Sequence, residues 1–318
     1  MSARIIIGDC RTELPKLAAE SIQCCVTSPP YWGLRRDYGH ADQIGQEATP
    51  SEYVASLVAV FAEVRRVLRA DGTLWLNLGD SYAGSWGNYS GQNRGNGDQR
   101  EIITGSLPSP AWDGREKERP AASRKLPGIK HKDLIGIPWL TAFALREAGW
   151  WLRSDIIWHK PNPMPESVRD RCTKAHEYIF MLTKSANYFY DSDAIRECSA
   201  EPERKREDRI GGANGHEVRH SEGGMIGASA TRNKRDVWTV PTSPYPEAHL
   251  ATFPPDLIKP CILAGTKPGD AVLDPFGGSG TTAAVATELG RNSIMIELNP
   301  DYGKLAEDRT NITPGLAL

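Results

Sequence analysis

The sequence predicts an α/β protein: one mainly parallel sheet with helices on both faces, interrupted by irregular insertions. Short apolar runs rich in Ile, Val, Leu and Cys alternate with helical stretches. Several of these runs are unbroken rather than alternating, as strands buried on both faces require. The chain also closes on a strand, glycine turn, helix and strand in succession. With 318 residues it can bury a sizeable core.

In order, "RIIIGDC" (4–10) and "IQCCVT" (22–27) read as buried strands, with the helical "TELPKLAAE" between them. Thr49, Pro50 and Glu52 form a capping box with proline at the first helical position. Val54, Leu57, Val58, Phe61, Val64 and Leu68 follow at helical spacing until Asp71-Gly72, and "TLWLNLGD" (73–80) is the next strand. Residues 83–131 break the rhythm with Gly, Asn, Pro, Arg and Lys and read as a long surface insertion. Order resumes with the helical "DLIGIPWLTAFALREAG" and the strands "WLRSDIIWHK" (151–160) and "EYIFMLTKS" (177–185). A second irregular stretch, 196–236, has nearly balanced charge and many glycines. From 262 onward "DAVLDPF", "SGTTAAVATELG", "SIMIELN" and "PDYGKLAEDRTN" make a βαβα unit. Core segments 1–82, 132–195 and 237–318 are thus separated by the stretches 83–131 and 196–236.

A formal charge of -2 gives no global attraction to polyanions, so any nucleic-acid contact must come from local clusters. The six cysteines show no CxxC pair or histidine spacing that suggests zinc, and His176 and Glu177 lack a third ligand, so no metal is expected. No basic-then-apolar leader is present, and the longest apolar stretch, "LIGIPWLTAFAL" (134–145), is too short to cross a bilayer. A cytoplasmic protein with reduced cysteines is expected.

"VLDPFGGSGTTAAV" (272–285) places Asp274 at a strand tip, Gly277, Gly278 and Gly280 in the turn, and a helix after it. Glycines let the backbone approach a ligand, and a helix N-terminus offers N–H groups to an anionic group. Glu297, ending the next strand, suits the two hydroxyls of a ribose. These features predict adenosine or nucleotide binding, while the absence of GxxxxGK[ST] argues against an ATPase or kinase. An Asp at position 274 would repel the pyrophosphate of NAD, whereas S-adenosylmethionine carries an ammonium and a sulfonium. The acid favours the second.

"VTSPPYWGLRRDYG" (26–39) stops a buried strand on a rigid, aromatic corner. By itself the corner reads as a strand terminator capped by rings. Together, however, "TSPPYW" (27–32) and "DPFGGSGTT" (274–282) resemble the catalytic and cofactor motifs of the amino DNA methyltransferases, which methylate exocyclic N4 of cytosine or N6 of adenine. Catalytic motif first and cofactor motif last is similar to the β-class permutation of that family. "GDC" near the start, "HEYIFMLTKS" and "HLATFPPDLI" (249–258) extend the likeness.

The resemblance implies a circularly permuted Rossmann-like methyltransferase sheet using S-adenosyl-L-methionine. Residues 1–82 would form the catalytic half, 132–195 the continued core and 237–318 the cofactor half; 83–131 and 196–236 would recognise DNA. Ser28, Pro29, Pro30 and Tyr31 would be catalytic: the Ser28 hydroxyl and Pro29 carbonyl accept the two amine N–H groups, and Tyr31 stacks on a base extruded from the duplex. Cofactor contacts fall to Asp9, Thr252, Phe253, Asp274, Phe276, Gly278, Gly280 and Glu297. DNA contacts fall to Arg124 and Lys125 in "RKLPGIKHK" and to Arg232, Lys234 and Arg235 in "RNKR". The implied substrate is double-stranded DNA, with a cognate restriction endonuclease as partner; monomer and homodimer both stay open.

Family practice with Ser before Pro-Pro favours N4 of cytosine. N6 of adenine is the alternative, because a hydroxyl can accept from either amine. A methyltransferase for RNA or protein glutamine, or an inactive DNA-binding relative, are further readings. All versions of the enzyme require the proline corner and the glycine turn to face each other across adjoining strand ends of one sheet.

Overall fold

The computed structural model describes residues 1–33, 43–83, 128–199, 231–242 and 253–310. Its elements are β1 (Ala3–Ile7), α1 (Cys10–Glu13), β2 (Ile22–Thr27), α2 (Pro50–Val67), β3 (Leu68–Leu78), α3 (Ile137–Glu147), β4 (Trp151–His159), β5 (His176–Thr183), β6 (Glu197–Cys198), β7 (Thr231–Arg232), β8 (Val237–Thr239), α4 (Pro255–Gly265), β9 (Ala271–Asp274), α5 (Thr281–Glu288), β10 (Asn292–Glu297) and α6 (Pro300–Thr310).

Eight strands form the main sheet in the order β1-β10-β9-β2-β3-β5-β4-β8. The pairings from β1 through β3 are parallel, while β5 runs antiparallel to both β3 and β4. The two halves of the chain meet where β2 lies beside β9, with Cys24 opposite Val272 and Cys25 opposite Leu273.

The unbroken apolar strands are explained by two cores. Cys25, Leu74 and Leu76 join Leu57, Phe61 and Val64 of α2 and Leu145 of α3 in one buried cluster. Their strand neighbours Cys24, Val26 and Trp75 join Leu257, Cys261 and Ile262 of α4 and Val285 and Ala286 of α5 in another. Successive side chains point to opposite faces of a strand, so both faces must be apolar.

The capping box predicted for α2 is present: Thr49 Oγ1 accepts from Glu52 N at 3.2 Å, and Glu52 Oε2 accepts from Thr49 N at 2.9 Å. Other boundaries differ from expectation. The first helix is one turn that passes at Leu14–Lys16 into a 3-10 turn containing Pro15, and it does not continue to Glu20. α2 ends at Val67, and Asp71-Gly72 lie inside β3, in the stretch where the β2–β3 register shifts. α3 starts at Ile137 rather than Asp133, because the Asp80 carboxylate accepts the N–H groups of Gly136 and Ile137. Within the described ends of 196–236, β6 and β7 pair as two-residue strands; directly after this stretch, β8 adds to the edge of the main sheet beside β4. Among the described residues no helix is long and apolar enough to cross a membrane.

Candidate active site

From β9 the chain passes through α5 to β10 on one side, and from β2 through α2 to β3 on the other. The strand order therefore reverses between β9 and β2, and a crevice opens at the carboxyl ends of such strands. A cavity of about 200 Å³ lies there, lined by Asp9, Ser28, Pro29, Pro30, Tyr31, Phe253, Asp274, Phe276, Gly278 and Glu297 among others. The proline corner and the glycine turn thus share one cavity.

Asp274 joins the two walls. Its Oδ1 accepts from Thr27 Oγ1 at 2.6 Å and Phe276 N at 3.1 Å, and its Oδ2 accepts from Thr282 Oγ1 at 2.7 Å. It is only 2% exposed, and burial pushes its carboxyl above the ordinary aspartate range against the pull of these donors.

Glu297 closes the opposite side. Its Oε2 accepts from Gly278 N at 2.7 Å and its Oε1 from Asn299 N at 2.8 Å, and burial raises this carboxyl as well. Each oxygen retains acceptor capacity beyond its single amide partner. Gly278 has φ +53°, and a Cβ added there would meet nothing within 4 Å. A carboxylate with acceptor capacity beside open space fits the ribose of an adenosyl group. Gly280, at φ +80°, is not among the residues lining the cavity; a Cβ there would lie 2.6 Å from that of Ala306, so its missing side chain lets α6 pack against the turn. The N–H groups of Gly278 and Gly280 are bonded inside the protein, to Glu297 Oε2 and to the Gly277 carbonyl.

At the mouth, Asp9 caps α1 by accepting from Arg11 N at 2.8 Å and pairs with the Arg11 guanidinium at 2.5 Å. Asp9, Asp274 and Glu297 line the cavity with Arg11, so acids outnumber bases there. An acidic lining suits a cationic ligand. Cys10 also lines the cavity, but burial pushes its thiol up to about 12 and keeps it protonated at neutral pH.

The proline corner is held from below by residues that sequence reasoning missed. Tyr53, fully buried on α2, donates its hydroxyl to the Pro30 carbonyl at 2.8 Å. Trp32 Nε1 donates to the Glu47 carbonyl at 3.0 Å, and Gly33 N to the Gly45 carbonyl at 2.9 Å. Position 53 falls on the apolar side of α2, but the helical pattern carried no sign of its bond to a residue on another element.

Of the remaining expected site residues, Phe253 lines the cavity and is 9% exposed. Thr252, Arg124 and Lys125 lie outside the described residues. Arg232 and Arg235 both bond Glu197 Oε1, at 2.8 and 2.7 Å, and Lys234 lies 5.0 Å from the ring centre of Trp238. These three bases cluster around β6 to β8 and none of them lines the cavity.

A doubly wound sheet with its cavity at the switch point, walled by Ser-Pro-Pro-Tyr and by an acid-flanked glycine turn, defines an α/β transferase for an adenosyl donor. A family model described as DNA methylase matches residues 22–308, and the chain belongs to this N6/N4 DNA methylase family. It is similar to the type II methyltransferase M.XycI of Xanthomonas campestris pv. cyanopsidis, with 48% identity over 95% of this chain and 85% of the relative. M.SmaI of Serratia marcescens is 43% identical over 97% of this chain and 90% of its own length. Among solved structures, the PvuII DNA methyltransferase, described as cytosine-N4-specific, shares the fold with a TM-score of 0.63 at 18% identity, covering 100% of this chain and 89% of that one. A Thermus thermophilus protein solved in complex with S-adenosyl-L-methionine aligns with a TM-score of 0.57 at 23% identity over 99% of this chain and 96% of that one. The chain is thus a DNA methyltransferase of the N4/N6 family.

Proposed function

We infer that the protein transfers a methyl group from S-adenosyl-L-methionine to the exocyclic N4 of a cytosine extruded from duplex DNA. The observation that carries this reading is the 2.6 Å bond between Thr27 and Asp274, which fixes the residue before Ser28 against the strand tip that opens the glycine turn. When bound, the cofactor supplies a methyl group on a positively charged sulfur.

The chain's own residues divide the remaining work. Glu297 accepts from the ribose, and Asp9 lies toward the adenine. The buried charge of Asp274 favours the cationic end of the ligand, with Phe253 and Phe276 as apolar walls. An exocyclic amine is a poor nucleophile because its lone pair is delocalised into the ring. The Ser28 hydroxyl and Pro29 carbonyl accept its two hydrogens and free that pair to point at the donor. The Pro30 carbonyl is already engaged by Tyr53, so its part is to keep the corner rigid. Tyr31 offers its ring as a stacking face, worth roughly 1 to 3 kcal/mol per base and so able to offset much of the cost of extrusion.

Arg124, Lys125, Arg232, Lys234 and Arg235 are proposed to meet DNA phosphates or base edges. Ser before Pro-Pro and the likeness to the cytosine-N4-specific PvuII enzyme support cytosine as the target. The type II names of the relatives support a restriction endonuclease as the partner activity. The test is mass spectrometry of nucleosides from DNA incubated with the protein and labelled donor. Labelled N4-methylcytosine is the expected product; N6-methyladenine would reassign the base, and no labelled nucleoside would end the reading.

A further inference from the structure

Tyr31 lines the cavity, and its hydroxyl, which also neighbours that of Ser28, reaches a polar cluster that the mechanism above does not use. The hydroxyl donates to Glu177 Oε2 at 2.7 Å, with Asn77 Oδ1 at 3.2 Å. Glu177, the second residue of β5, pairs across the sheet with Trp158 of β4. Its other oxygen accepts from Lys160 Nζ, and both side chains of this ion pair are largely buried, at 15% and 18% exposure. Lys160 is itself seated 4.2 Å from the ring centre of Trp158. Asn77 Nδ2 bridges the Tyr178 carbonyl at 3.1 Å and Glu177 Oε2 at 3.3 Å.

The ring is fixed from a second side. A Cβ added at Gly79 would lie 2.6 Å from Tyr31 Cε2 and 3.2 Å from Cδ2 and Cζ, so this edge of the ring lies against a stretch of backbone that must lack a side chain. Backbone on one side and a charged hydrogen bond at the tip leave the ring little freedom to turn. Burial, followed by the Glu177 charge, holds the phenol well above its usual range, so it remains the donor to Glu177. Glu177 does not line the cavity and is joined to it through Tyr31.

We propose that Glu177, braced by Lys160, is a positioning residue that sets the plane of Tyr31 and thereby governs how the target base is held for methyl transfer. This rests on the reading of Tyr31 as the stacking face. It assigns to β4 and β5, strands outside the cofactor half, a direct share in the reaction.

The test compares Tyr31→Ala, Tyr31→Phe, Glu177→Ala, Glu177→Gln and the double variant Tyr31→Phe/Glu177→Ala. Labelled methyl transfer to bulk genomic DNA is measured beside S-adenosylmethionine affinity by calorimetry. Losing a hydrogen bond to a charged group predicts that Glu177→Ala and Tyr31→Phe each lower kcat/KM for DNA about tenfold or more. Cofactor affinity should stay within about twofold, since neither the Glu177 side chain nor the Tyr31 hydroxyl faces the cofactor wall. Glu177→Gln, which keeps an acceptor for the hydroxyl, should restore most of the rate. The double variant should be no worse than Tyr31→Phe alone, the sign that both changes break one interaction.

Full activity in Tyr31→Phe or Glu177→Ala overturns the proposal, as does an additive double variant or a loss of cofactor affinity that parallels the loss of rate. If Glu177→Ala does not fold, Glu177→Asp, which draws the carboxylate back from the hydroxyl and leaves the Ser28 contact of Tyr31 in place, decides the matter, and full activity there overturns the proposal. Full activity in Tyr31→Ala would instead refute the stacking role itself, a result distinct from the failure of Glu177 to matter while Tyr31→Ala is inactive.

Discussion

Thr27 and Asp274 come from opposite ends of the chain and share a 2.6 Å hydrogen bond across the seam between β2 and β9. This bond ties the proline corner to the glycine turn, the two walls that the proposed function assigns to the nucleophile and to the donor. Methyl transfer demands that its two reactants be held at bonding range, and a rigid seam provides that registry.

Asp274→Ala removes the shared acceptor of Thr27 and Thr282. Two buried hydroxyls lose a charged partner, and unsatisfied buried groups cost about 1 to 3 kcal/mol each. Urea denaturation should show a loss of roughly 2 to 4 kcal/mol, and calorimetry a weaker hold on S-adenosylmethionine. An unchanged affinity would remove Asp274 from the cofactor site.

Acidity offers a second reading of the same residue. Burial raises the folded-state value of Asp274 above its unfolded value. The native state therefore binds this proton more tightly than the unfolded chain does, and the associated stability is present in acid below the unfolded value. It is lost as pH rises through the folded value. Asp274→Asn does not titrate, so the stability of the native protein minus that of the variant should fall from strongly acid toward neutral pH and then level off. Part of the slope belongs to Glu297, whose raised value includes repulsion from Asp274. A difference that is flat, or that rises with pH, would contradict the assignment.

Glu297→Gln replaces one carboxylate oxygen by an N–H donor that must face either a backbone amide or the ligand. A charged hydrogen bond is worth about 1.5 to 3 kcal/mol, so the dissociation constant for S-adenosylmethionine should rise at least tenfold or so. Equal constants for the two proteins would rule out a ribose contact.

Ser28→Ala leaves the cofactor wall intact. Binding of the donor should be unaltered while the rate of transfer falls; positioned hydrogen-bond groups of this kind contribute on the order of 100-fold or more. Retained full activity would exclude Ser28 from the reaction.

Tyr53→Phe tests the support beneath the corner. Loss of the 2.8 Å bond to the Pro30 carbonyl should lower stability by about 1 kcal/mol and reduce kcat with little change in donor affinity. A variant matching the native enzyme in both respects would show that the corner holds its own shape.

The features most legible in the sequence were local. The capping box of α2, the glycine turn before α5 and the acid ending β10 are short-range patterns whose physics lies within a few residues of chain. What stayed hidden depends on partners distant in sequence. β8 is three residues long and exists because Ile157–His159 of β4 offer it an edge. Tyr53 reads as one more aromatic on a helix until β2 brings Pro30 over it. Glu177 near the start of β5 and Lys160 just past the end of β4 are unremarkable charges until the antiparallel pairing of these strands brings them together beside Tyr31. The short α1 shows the converse, since Pro15 already contradicted a longer helix, having no N–H to continue one.

The interleaving of β1 and β2 with the late strands β9 and β10 also governs when activity can begin. Because β1 pairs with β10 and β2 with β9, a ribosome-bound chain holding only the early strands can set β2 against β3 but has no neighbour for β1 and no wall opposite its proline corner. Such long-range pairings form slowly and late. A chain that lacks β9 and β10 lacks one wall of the cavity, so the complete site is assembled only when the final two strands slot between the first two.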